Sequence, residues 1–500
     1  MMKFKGIKEK RIVILAFILL FIGVFLYFTY AHPLMILDTD DWNYAGEPRH
    51  AIPGFGRGVW NPIKVLPEMM QCFVSEMGVC FLMPFTHDFF VATSLAYALF
   101  GSVLIVGFFY LLLRLLDRKF RLNGFQKLAV LGLTVILYFL TFVSADTGNQ
   151  NLFSESNVTC FFNYTIPAVV NIGLVLFFMT DGILDLFDNS ISVEKRAVIL
   201  LLCYLCICSN LCENFYLAAY LGETVLLDVL QKRGSVSDML KRNRTALIVY
   251  LGWVLACFLE LSGGRAGSVG QVDIKISLVR SVGCFFTLLT KVNVWEGLCL
   301  VILLLVFAVV LLCVKDNSDT KKVFLSFVGF NALYALILWV CTILLASRVA
   351  SGNAGRPSVV FGFFTAVFLI LAAMLWFVSE NIREANLVIP IIMLFLLNEL
   401  ITGKALFKEY NVMQISPELC REIGNDIIDQ MIEADKSGVE EADIYIMKSP
   451  RNDNWPNAIG GFSMLRTTLR HYKIIKRDFE VNPIPLEEIN EKYHLTFEEL

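Results

Sequence analysis

Asp40 and Asp41 stand side by side in Leu37-Asp-Thr-Asp-Asp-Trp-Asn-Tyr44, shortly after an apolar run over residues 11–30. Neighbouring carboxylates can take a proton from a hydroxyl or ligate a divalent cation such as Mg2+ or Mn2+. Both cannot easily stay ionised unless a cation or hydrogen-bond donors lie close by. At a membrane face such acids are costly unless solvated, paired or bound, so the pair is a candidate site. Trp42 and Tyr44 flank it and join it as candidates for substrate binding. The plainer alternative is a solvated loop in which an Asp caps a turn.

Other polar groups interrupt apolar sequence. Glu213 and Asn214 break the segment 197–230, either to bond a substrate or to make a polar turn. Asn149, Asn151, Glu155, Asn163 and Tyr164 form a ledge of amides and a tyrosine suited to a hydroxyl-rich ligand; helix caps in a solvated loop are the alternative. Arg348 and Arg356 bracket Val-Ala-Ser-Gly-Asn-Ala-Gly355. A guanidinium holds two phosphate oxygens through parallel hydrogen bonds, and glycines let backbone amides approach the same anion. Arg265, among Gly263, Gly264 and Gly267, is a weaker candidate of the same kind. The first loop, residues 31–88, adds Arg49, His50, Arg57, Trp60 and Lys64.

The elements that must position these residues are membrane helices. Of 500 residues 57% are hydrophobic and only 17% charged, with a mean hydropathy of +0.65. The net charge of −3 argues against a nucleic-acid partner. Residues 402–500 carry 12 Lys/Arg against 18 Asp/Glu, leaving 30 against 27 in the first 401. The expected fold is therefore a mainly α polytopic domain over 1–401 and a small α/β module over 402–500. Runs of ~20 apolar residues mark spans at 11–30, 89–113, 127–145, 160–180, 245–262, 295–314, 323–347, 358–379 and 387–401. Segment 197–230 is too long for one crossing and splits at Glu213-Asn214, making eleven. Residues 63–85 read as helices lying in the interface.

Basic clusters near Lys3–Arg11, Arg114–Lys127, Lys232–Arg244 and Lys315–Lys322 then all face the cytoplasm, and the tail lies outside. In the tail, Ser416-Pro417 starts a helix, Asp443–Met447 reads as a strand, and 449–456 is turn-rich. Most of the 13 cysteines sit in apolar runs; Cys72 and Cys80 share the first loop and are close enough in sequence to pair.

A short first span followed by an outer Asp40-Asp41-Trp42-x-Tyr44 resembles the GT-C class of membrane glycosyltransferases. The layout is most similar to an uncharacterised bacterial membrane-protein family with an Asn-Tyr pair (Asn163-Tyr164), a Glu-Asn pair (Glu213-Asn214) and a late Arg (Arg348 or Arg356). The resemblance implies a sugar moved, with inversion, from a polyprenyl-phosphate carrier to a cell-surface glycan or lipid acceptor. Asp40 or Asp41 would be the base, with a divalent cation at the pair in some members of the class. Arg348 or Arg356 would take the leaving phosphate, and Glu213 and Asn214 would position substrate. Two competing expectations are a transporter or flippase of lipid-linked saccharides, and a non-catalytic scaffold for surface polymer.

Overall fold

Apolar stretches with few charges close their backbone hydrogen bonds internally, which makes helices the only open-chain way through lipid. A computed structural model describes residues 2–47, 64–142, 151–155, 157–188, 191–231, 235–261, 273–314, 319–402, 415–449 and 456–495. Arg49, His50, Arg57, Trp60, Asn149 and Arg265 lie outside the described residues. Among those described, eight helices are long and apolar enough to cross a membrane. They are Glu9–Ala31, Val65–Thr86, Phe89–Phe120, Val158–Asp181, Val294–Cys313, Asp319–Val349, Phe361–Asn381 and Ala385–Thr402. A kinked pair, Val236–Arg242 and Arg244–Glu260, makes a ninth if counted as one. The chain is a mainly α, multi-pass membrane protein.

Several expected spans form as helices of another kind. Gly124–Leu140 has 17 residues, about 26 Å at 1.5 Å per residue. Val193–Ile207 has 15, and Leu211–Gln231 carries Glu213, Glu223 and Asp228. Val65–Thr86, expected in the interface, reaches spanning length. It presents Phe73, Met77, Phe81 and Phe85 as an exposed stripe at four-residue spacing. The break in 197–230 falls at Cys208–Asn210 rather than at Glu213-Asn214. Asn210 explains the shift: its carbonyl accepts the amides of Glu213 and Asn214, and its side chain accepts that of Cys212. Glu213 thus sits in the first turn of a helix, where the backbone dipole favours an acid.

The chain divides into two compact units. One comprises 1–22, 104–154 and 164–405. Its centre is aromatic: Tyr138 stacks on Phe153 at 5.2 Å and meets Phe108 and Phe361 edgewise or tilted. The Tyr138 hydroxyl pairs with Thr365 at 2.5 Å, so this buried polar tip is satisfied.

The other unit comprises 23–103, 155–163 and 406–500. Ser416 caps the helix Pro417–Ser437, which buries Cys420, Ile423, Ile427 and Met431 and stops at Gly438 with φ 72°. Strands Glu441–Met447 and Glu480–Leu486 pair in parallel, connected through the helix Phe462–His471. Pro483 and Pro485 offer no N–H, which suits a strand with one partner. Against Phe462–His471 lies the short helix Thr39–Gly46. Thr468 donates to the carbonyl of Trp42, and a Cβ on Gly46 would collide with the Thr468 side chain.

Candidate functional site

The two aspartates have opposite environments. Asp38 precedes the Thr39–Gly46 helix in extended conformation, and Asp41, three residues on, turns back toward it. Asp41 Oδ2 accepts the amides of Leu37 at 3.2 Å and Asp38 at 3.1 Å. Its Oδ1 accepts the amide of Thr159 at 2.8 Å. The carboxyl is fully buried. Burial, and then the neighbouring Asp38, push it up to about 7, while the bonds from Thr159 and Asp38 pull it down. Asp40, one position earlier, points about 100° away around the helix and is exposed. Among the described residues nothing bonds its carboxylate. Asp38 is half-buried and takes a 2.9 Å bond from the Asn157 amide, while Asn157 also caps the turn at Cys160.

The flanking aromatics are internal. Trp42 and Tyr44 are each 1% exposed. Trp42 stacks on Phe89 at 5.6 Å, meets Phe90 edgewise, and donates its indole N–H to Asn457 at 3.0 Å. Both rings are packed inside this unit. The aspartate pair does not present two carboxylates to one Mg2+ or Mn2+, because Asp41 is committed to three backbone amides. Asn163 is also buried, its amide bonded to the Thr159 carbonyl at 2.8 Å. It lies in a π-helical turn, Phe161–Thr165. Such bulges re-aim side chains and recur at functional sites.

In the other unit Tyr164 and Arg356 come together. The Arg356 guanidinium lies over the Tyr164 ring, 4.2 Å from its centroid, and both are half-exposed. Arg356 closes the turn Ser351–Gly355, next to a cavity of about 350 Å3 lined by Asp273, Ser277, Arg280, Ser347 and Ser351. Arg348 is exposed near the end of the Asp319–Val349 helix.

Asn214 holds structure: it accepts the Trp253 indole N–H at 2.9 Å and donates to the Ile207 carbonyl. Glu213 is fully buried. One turn further on, Tyr216 donates to the Val359 carbonyl at 2.6 Å. Asn151 makes a local turn through the amides of Phe153 and Ser154. Arg280 was not singled out in the sequence, since an arginine outside any motif gives no signal there. Comparison with protein-family models, curated proteins and solved structures finds no match.

Proposed function

We propose that this chain is a membrane glycosyltransferase that moves a sugar from a polyprenyl-phosphate carrier to a hydroxyl of a cell-surface glycan or lipid. One observation carries the reading: of two adjacent carboxylates one is locked into the backbone and the other is exposed, with no bond among the described residues. Asp41 is then the positioning residue and Asp40 the base. Asp40 takes the proton of the acceptor hydroxyl as that oxygen attacks the anomeric carbon. The bond from that carbon to the carrier phosphate breaks, the phosphate leaves with the electron pair, and the configuration inverts. No step is routed through a divalent cation, for the reason given above.

The same reading counts eleven crossings. It adds Gly124–Leu140, Val193–Ile207, Leu211–Gln231 and Arg244–Leu261 as spans and leaves Val65–Thr86 at the interface. The basic clusters then keep the N-terminus cytoplasmic and place the strands and helices of 415–495 outside, as an acceptor-side module. A second reading, transport of lipid-linked saccharide, is favoured by Glu223 and Glu296, each 1% exposed on a helix that the eleven-crossing reading counts as a span.

The test is surface-glycan composition and linkage in a deletion strain rescued with wild type, Asp40→Asn or Asp41→Asn. Loss of one sugar substituent, restored by wild type and not by Asp40→Asn, supports transfer. Full rescue by Asp40→Asn overturns it. A saccharide that crosses proteoliposomes without changing carrier would favour transport instead.

A further inference from the structure

We propose that Cys72, Glu76 and His471 hold a divalent transition-metal ion of the zinc class, which pins the Phe462–His471 helix to the Met70–Met77 helix. Cys72 and Glu76 are four residues apart in one helix, so their side chains share a face. His471 ends a helix 395 residues later and brings its Nε2 to 3.2 Å from Glu76 Oε1. One ligand atom from each of the three lies within 4.8 Å of the others. Tetrahedral bonds of about 2.0–2.3 Å would set such atoms roughly 3.3–3.7 Å apart, a small side-chain adjustment from where they stand.

The donor set decides the class of ion. One sulfur, one imidazole nitrogen and one carboxylate oxygen suit Zn2+ and its neighbours, whereas Mg2+ and Ca2+ take oxygen throughout. The surroundings favour positive charge. Cys72 Sγ lies 3.7 Å from the Gly46 carbonyl, and Tyr472 donates to the Ala45 carbonyl at 2.5 Å, both at the C-terminal end of the Thr39–Gly46 helix. Cys72 is only 5% exposed, but the Glu76 and His471 side chains are 45% and 36% exposed, which leaves an entry path. On binding, the thiol releases its proton to solvent and its sulfur bonds the metal as thiolate. Three protein ligands leave a fourth position for water. None of these residues has a part in the transfer chemistry proposed above, so the two proposals stand or fall separately.

The experiment is titration of the purified full chain with Co2+ and then Zn2+, in detergent with the native metal stripped. One equivalent of Co2+ should give a thiolate charge-transfer band that Zn2+ abolishes. Cys72→Ser should remove the band, and His471→Asn should weaken Co2+ binding more than about tenfold. Cys80→Ser, at an exposed cysteine, should change neither. His471 is at a solvent-facing helix end, so its variant keeps the fold even if a change at Cys72 does not. Absence of stoichiometric binding by wild type, or a band that survives in both Cys72→Ser and His471→Asn, would overturn the proposal.

Discussion

Asp41 is a carboxylate whose three hydrogen bonds come from backbone amides, so its loss is first a matter of stability. Asp41→Ala leaves those buried N–H groups without an acceptor, and a cost of roughly 2–4 kcal/mol is expected in detergent unfolding. Its titration adds a pH dependence. The folded group titrates at about 7 against 3.8 for the ordinary side chain, so between these values the folded chain binds the extra proton. That contribution to stability is complete below about pH 4 and is lost as pH rises through 7. A falling melting temperature over this window should flatten in Asp41→Asn. Asp40→Asn should melt like wild type while transfer falls about 10²–10⁴-fold. Arg348→Ala, at an exposed position, should leave transfer nearly unchanged. The sequence drew attention to Asp40-Asp41 through residue type and place. It could not rank the two, because the amide of Thr159, 118 residues away, is what commits Asp41.

At the scale of elements, hydropathy located nearly every long helix, since lipid leaves the backbone no alternative. The tail helix was equally legible in Ser416-Pro417, and the strand at 443–447 is the core of the observed Glu441–Met447. Val65–Thr86 was harder, because Glu68 and Glu76 dilute its apolar signal and its breaks are π-turns, which leave no mark in composition. The packing of Trp42 was hidden for a related reason. An aromatic beside an acid pair resembles a sugar platform until Phe89, Phe90 and Asn457 are seen to enclose it. Trp42→Ala should therefore act on the fold and cost about 3–5 kcal/mol, as checked by unfolding of the purified protein. Trp42→Phe, which keeps the stack and loses the bond to Asn457, should fall between.

At the scale of the whole molecule, the residues group into two compact units, and both are discontinuous in sequence. No local pattern announces that residues 23–103 and 406–500 belong together. The Thr39–Gly46 helix is bonded by Asn457, Thr468 and Tyr472. A chain ending at residue 402 should thus aggregate in detergent where the full chain runs as a single species in size-exclusion chromatography. The bond from Trp42 to Asn457 joins residues 415 apart in sequence. At a synthesis rate of about 5–20 residues per second, roughly 20–80 s separate the ribosomal birth of the two partners. For that interval the indole N–H lacks its acceptor, although Phe89 and Phe90 are already made. The Thr39–Gly46 helix is thus finished only after most of the chain that follows it has been made, and its quality control must be able to wait.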